Sequence, residues 1–255
     1  MLLSYGIIAL SIRIMNYPRE LTMFLPVWES MICWNSLQEE NMIVDDRIVA
    51  YIHSLAKDDE KKLMQIEKDA REHYVPIVRK ETKELLKILV LMKQPKHILE
   101  VGTAVGYSAL YMNQYQPEGG RITTIERNEK RILKAKENFA ACKKEGCITL
   151  LEGDAMEILQ KLDGSYDMIF VDASKGQYIH FLEELLRLMP VGGVLISDNV
   201  LQDGDVVKSR FAIERRNRTI HKRMREYLYE ITHRKEFETV VLPIGDGVTI
   251  SVRIV

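Results

Sequence analysis

Two short apolar runs, Met168–Val171 and Val194–Ser197, each end in oxygen-bearing side chains: Asp172 after the first, and the pair Asp198-Asn199 after the second. If the runs are neighbouring parallel strands, their carboxyl ends bring Asp172, Asp198 and Asn199 to one spot. Lys175 follows Asp172 by about one helical turn. Three oxygen donors for a hard cation beside Lys175, placed to take the proton or to stabilise the resulting oxyanion, suggest metal-assisted deprotonation of an oxygen substrate. The alternatives are a helix cap for Asp172, turn chemistry for Asp198-Asn199 and a solvated surface lysine for Lys175.

The elements that must position these residues alternate in type. Helical spacing over Asp45–Leu63 (Ile48, Val49, Ile52, Leu55), Lys61–His73 and Thr82–Met92 predicts helices before Gln94-Pro95. Strands are predicted at His97–Val101, Arg121–Ile125, Ile148–Leu151, Tyr166–Val171 and Gly193–Ser197. Helices are predicted between them at Tyr107–Tyr115, Asn128–Glu145, Ala155–Leu162 and Tyr178–Leu188. Nearly continuous apolar strands alternating with helices predict a parallel sheet covered on both faces. Glu238–Leu242 and Val248–Ile254 are separated only by a glycine-rich link, which predicts an antiparallel hairpin at the end.

A second set of polar residues falls at the ends of the earlier strands. Gly102-Thr103-Ala104-Val105-Gly106 opens a helix, where glycine lets backbone approach a ligand and the helix N-terminus can bind polar groups. It lacks the full G-x-G-x-x-G pattern of a pyrophosphate site. Glu126, about 20 residues beyond the last of these glycines, can accept hydrogen bonds from both hydroxyls of a ribose, or can favour its helix dipole. Asp154 can accept from an adenine amino group, or cap its helix. Their joint position at strand ends favours a ligand site.

Glu100–Ser108, Glu126, Gly153-Asp154, Asp172–Tyr178, Asp198-Asn199 and Gly245-Asp246-Gly247 together resemble the cation-dependent O-methyltransferases, a family that includes the catechol and caffeoyl-CoA enzymes. The resemblance runs from Asp45 to Ile254. Within the family, His73–Val78, Ile125–Arg131 and Leu242–Val248 are most similar to the bacterial tRNA 5-hydroxyuridine methyltransferases. It implies a class I, Rossmann-like methyltransferase fold: seven strands, mostly parallel, with a C-terminal antiparallel hairpin. It also implies S-adenosylmethionine as methyl donor, with Val78 and Gly102 near its methionine moiety, Ser108 beside its carboxylate, Glu126 on the ribose and Asp154-Ala155 by the adenine. Asp172, Asp198 and Asn199 map onto the metal ligands, a set that suits Mg²⁺ and can also hold Mn²⁺ or Ca²⁺. Asp172 thereby borders both halves of the site. A homodimer is the assembly the resemblance suggests.

The 255 residues carry a formal net charge of −1, so no global polycation signal marks a nucleic-acid partner. The local signal differs. Lys208–Arg225 holds Lys208, Arg210, Arg215, Arg216, Arg218, Lys222, Arg223 and Arg225 against the single acid Glu214. That stretch is either a solvated helix face or a footprint for phosphates. A catechol offers two neighbouring oxygens to a cation, and 5-hydroxyuridine does so through its 5-hydroxyl and O4. The basic stretch tilts the expected acceptor toward a splayed uridine in a tRNA anticodon loop. A small catechol or hydroxycinnamoyl acceptor is the alternative, and a non-catalytic S-adenosylmethionine- or RNA-binding protein a third.

Cys33, Cys142 and Cys147 are too few and too irregular for a disulfide framework or zinc site, which fits a reducing cytoplasm. Leu2–Ile12 is too short to span a bilayer. Residues 1–41 lack the periodicity of the rest and contain both tryptophans, Trp28 and Trp34. Codons for Glu39-Glu40 can spell a ribosome-binding sequence just upstream of Met42. The expectation is a start at Met42, one domain over 42–255 and a misassigned extension before it; a genuine N-terminal helical arm is the alternative.

Overall fold

The computed structural model describes residues 44–255; the expected start at Met42 and the 1–41 extension lie outside the described residues. Helices α1 (Asp46–Leu55), α2 (Lys61–Glu72) and α3 (Lys80–Lys93) precede the sheet. Strand β1 (His97–Val101) is followed by α4 (Tyr107–Tyr115), β2 (Arg121–Glu126), α5 (Glu129–Ala141), β3 (Ile148–Glu152) and α6 (Ala155–Lys161). Then come β4 (Met168–Val171), α7 (Tyr178–Arg187), β5 (Val194–Ser197), α8 (Arg218–His233), β6 (Phe237–Leu242) and β7 (Val248–Arg253).

The strands form one sheet in the order β3-β2-β1-β4-β5-β7-β6. β1 to β5 are mutually parallel, and β7 inserts antiparallel between β5 and β6. The expected parallel sheet with a terminal antiparallel hairpin is therefore present. Because side chains alternate across a strand, Ile98, Ile122 and Phe170 pack on one face with Leu86 of α3, Tyr111 of α4 and Phe139 of α5. Leu99, Ile125 and Val171 pack on the other with Leu159 of α6, Leu182 of α7 and Tyr227 of α8. Burial on both sides is why the strands read as unbroken apolar runs.

Strand order reverses between β1 and β4, with Val101 opposite Val171, and Val171 is in turn opposite Ser197 of β5. Open α/β sheets bind ligands at such a crevice, outside the carboxyl ends of the strands.

The predicted helix over Asp45–Leu63 is in fact interrupted. Ala56 is extended (φ −70°, ψ 142°), and helix resumes only at Lys61. The interruption turns Asp59 inward, where its carboxylate is ion-paired with the buried Lys83 and within 3.5 Å of the Tyr107 hydroxyl. A buried lysine is stable only when it is paired, so the tertiary contact overrides the local helical pattern. The helix predicted to reach Glu145 stops at Ala141, and Lys143 adopts a left-handed φ of 55°.

Candidate active site

At the β1 carboxyl end the chain turns over Gly102, whose φ is +107°. A Cβ there would lie 2.0 Å from the Asp172 carbonyl oxygen, so only glycine lets β1 and β4 deliver their following residues side by side. The turn is closed by the N–H groups of Gly102 and Thr103, both donating to the Ile125 carbonyl at 3.1 Å.

Glu126 ends β2 with its carboxylate folded over this turn. It accepts the N–H of Ala104 on one oxygen, and those of Arg127 and Asn128 on the other, all at 2.9 Å. Three backbone donors fix the carboxylate without exhausting its acceptor capacity, which leaves lone pairs for a ligand's hydroxyls. Asp154 does cap α6, accepting the Met156 N–H at 2.9 Å, and it also faces the cavity. The cap role and a place on the cavity wall are compatible in Asp154.

A cavity of about 420 Å³ gathers most of the predicted residues: Gly102, Glu126, Asp154, Ala155, Asp172 and Asn199 line it. Pro76, Arg131 and Phe181 line it too, and sequence reasoning assigned them no role. Val78, Ser108, Lys175 and Asp198 do not line it. Val78 is buried in the core, and Ser108 donates its hydroxyl at 2.6 Å to Glu100.

Glu100 is the residue that the sequence concealed. It is fully buried within β1, and burial pushes its carboxyl up to about 8 although Ser108 and Thr124 donate hydrogen bonds to it. A polar residue inside an apolar strand is the signal that could have marked it.

The metal-ligand candidates converge as the parallel register requires. Asp172 and Asp198 follow paired residues of β4 and β5, and the Asp198 N–H donates to the Val171 carbonyl at 2.9 Å. The Tyr178 hydroxyl donates to the carbonyls of Val171 and Asp198 at 3.2 and 3.0 Å, clamping the two strand ends. Asn199 takes a left-handed φ of 58°, and its N–H donates to Asp198 Oδ1 at 2.8 Å. Burial raises the carboxyl of Asp198, and the nearby charge of Asp172 raises it further. Burial raises Asp172 as well, against the opposing pull of Lys175 and Arg131.

Among the described residues no basic side chain forms an ion pair with either carboxylate within 4.0 Å. Asp172 takes no side-chain hydrogen bond or helix-cap role there. Two mutually repelling carboxylates beside an amide oxygen fit a divalent cation, which would relieve the repulsion using its preferred donors.

Lys175 is not a free surface lysine. Its Nζ donates to Asp246 Oδ2 at 2.7 Å, and the Asp246 carboxylate is buried and also accepts the Asp203 N–H. Asp246 sits between Gly245 and Gly247, both at positive φ, in the β6–β7 link. Its neighbours in the sequence gave it a motif but no role. The hairpin therefore reaches back to fix the site's lysine.

The basic stretch is only partly free. Lys208 pairs with Asp205 at 2.8 Å and Arg216 with Glu214 at 2.7 Å. Arg218, Arg223 and Arg225 donate to the carbonyls of Ile213, Gly176 and Val206.

This fold has relatives. Residues 53–254 match the O-methyltransferase family. A caffeoyl-CoA O-methyltransferase of Medicago sativa is 34% identical over 67% of this chain and 72% of its own. A catechol O-methyltransferase of Niastella koreensis is 35% identical over 49% of this chain, and the match spans 58% of that relative's length. Among solved structures, a protein described as a caffeoyl-CoA O-methyltransferase from Staphylococcus aureus shares 34% identity and a TM-score of 0.73. That likeness covers 81% of this chain and 98% of the other. The chain belongs to this family and is an S-adenosylmethionine-dependent O-methyltransferase. Among the described residues no helix is long and apolar enough to cross a membrane.

Proposed function

We propose that the protein is a Mg²⁺-dependent O-methyltransferase whose acceptor is 5-hydroxyuridine at the wobble position of tRNA, giving 5-methoxyuridine. The single observation that carries the metal chemistry is the pairing of buried, mutually repelling Asp172 and Asp198 beside Lys175. The acceptor assignment rests on the basic residues that follow Asn199 in sequence.

Asp172, Asp198 and Asn199 would hold the divalent cation, which would supply the positive field that lowers the pKa of an acceptor hydroxyl beside it. Lys175 Nζ, oriented by Asp246, is the group placed to take the hydroxyl's proton or, as the ammonium, to stabilise the oxyanion while the proton passes to water. Glu126 and Asp154, on the wall of the cavity, would hold the nucleoside of S-adenosylmethionine. The glycine turn keeps the donor close enough for in-line attack on its methyl group, and much of the acceleration comes from this juxtaposition.

A second reading has specific support. The similar proteins named above are catechol and caffeoyl-CoA enzymes, and a catechol presents the same two adjacent oxygens. Labelled-methyl transfer to hypomodified tRNA and to catechol, each with and without EDTA, separates the two. Transfer to catechol alone would overturn the RNA acceptor, and EDTA-insensitive transfer would overturn the metal chemistry.

A further inference from the structure

The first half of α8 is joined to the turn that carries Lys175: Arg223 donates to the Gly176 carbonyl at 3.2 Å, and a Cβ on Gly176 would touch Ile220 at 3.7 Å. On another side of the same helix lies a groove of about 530 Å³, lined by Arg210, His221, Lys222, Arg225 and Tyr229, with Glu226 and Glu230 toward the helix C-terminal half. His221 is 4% exposed, and its Nε2 is buried with no hydrogen-bond partner among the described residues. That nitrogen is closed to solvent, so the polar groups a ligand meets in the groove are those of Arg210, Lys222, Arg225 and the two glutamates.

Two further features limit what that ligand is. Charge is graded along the groove: Lys222 and Arg225 stand in the half nearer the Lys175 turn, and Glu226, which lies 3.4 Å from Lys222, and Glu230 stand beyond them. An anion is therefore drawn to the end nearer the active site. Two exposed aromatic rings accompany the cations, Tyr229 on the groove wall and Phe211 beside Arg210 in the sequence. Phe211, next to Arg210, is 88% exposed, and Tyr229 is 61% exposed with its ring stacked on His233 at 4.0 Å. Cations along a groove with exposed rings beside them are the combination that tracks a single-stranded nucleic acid, whose phosphates meet the cations while its bases stack.

We infer that this groove is the docking track for the single-stranded loop of the RNA acceptor, with a backbone phosphate at Arg210 and Lys222 and an unpaired base on Phe211. The inference rests on the RNA reading given above and adds the surface that would hold the loop outside the catalytic cavity. The phosphate end lies on the helix half tied to Gly176, so a loop seated here can present a splayed nucleotide to Lys175.

The test uses the full chain and a short single-stranded RNA oligonucleotide containing 5-hydroxyuridine, with inorganic phosphate as a second probe. Arg210, Phe211 and Lys222 are all exposed, so their truncation leaves the core intact. The double variant Arg210→Ala/Lys222→Ala should bind the oligonucleotide at least about tenfold more weakly, with the salt dependence reduced by roughly 0.7 in log–log slope for each phosphate no longer neutralised. Phe211→Ala should weaken binding about tenfold and leave that slope unchanged, because stacking carries no counterion release. S-adenosylmethionine affinity should be unchanged in both.

If wild type methylates hypomodified tRNA while both variants bind the oligonucleotide with wild-type affinity and slope, the groove assignment is wrong and the RNA reading stands. If wild type neither binds the oligonucleotide nor methylates tRNA, the RNA reading fails and the groove assignment falls with it. Inorganic phosphate that competes fully with the oligonucleotide, with Phe211→Ala binding like wild type, would reduce the groove to a simple anion site and overturn the inference.

Discussion

Gly102 and Asp172 meet backbone to backbone at the point where strand order reverses: a methyl group on the glycine would sit 2.0 Å from the aspartate carbonyl oxygen. This one contact sets the spacing between the donor turn and the cation side of the site. Gly102→Ala therefore has to distort either a left-handed backbone or the β4 end. The variant is expected to lose about 2 kcal/mol or more of stability in denaturant titration. Its S-adenosylmethionine affinity should fall with it, measured by calorimetry. Wild-type affinity in a well-folded alanine variant would show that the close approach is not what forms the site.

The Lys175–Asp246 pair gives a prediction about rate. Asp246→Asn keeps the shape and removes the charge that orients the Lys175 ammonium. Its kcat is expected to fall roughly a hundredfold, and Lys175→Met should fall by at least as much. The S-adenosylmethionine Kd should be unchanged in each, because neither residue lines the donor cavity. The double variant should be little worse than Lys175→Met alone, as expected for two residues acting as a unit. Independent, additive losses would remove Asp246 from the lysine's role.

Legibility in the chain tracks how local the cause is. Parallel strands end on the same side of a sheet, so Asp172, Asp198 and Asn199 could be placed together from two apolar runs and the polar residues at their ends. Gly102, Glu126 and Asp154 were legible for the same reason. Asp246 was not, because its partner Lys175 is 71 residues away and the pairing depends on β7 lying against β5. The interruption after α1 was hidden because Asp59 is buried by Lys83 from another helix. In the basic stretch a count of charges could not show that Arg223 and Arg225 bond carbonyls of other segments, nor that His221 lacks a partner among the described residues.

Glu100 predicts how stability follows pH. Its carboxyl ionises near 4.5 in the unfolded chain and near 8 in the folded one. The folded state binds the extra proton between these values, so stability is greatest below about pH 4.5 with respect to this group and declines as pH rises to about 8. Glu100→Gln cannot ionise. It is expected to flatten that decline, and near pH 8 to be more stable than wild type by an amount on the order of a few kcal/mol. Thermal denaturation from about pH 5 to about pH 8.5 measures it. A variant with an undiminished slope would show that Glu100 is not the source.

Asp172 and Asp198 add to the same decline, since both carboxyls are raised in the folded chain without a cation, and this makes their response to metal the decisive measurement. Binding of a divalent ion to the folded state alone stabilises it, by about 2.7 kcal/mol at a concentration roughly a hundred times Kd. Mg²⁺ should therefore raise the Tm of wild type near pH 8 and have little effect near pH 5, where protons compete for the ligands. Asp198→Asn should behave in the opposite way. Without metal it is more stable than wild type, because the repulsion with Asp172 is gone. With Mg²⁺ it gains little, because a charged ligand is missing. Ordinary structural aspartates would instead lose stability on this substitution and show no difference in their response to Mg²⁺.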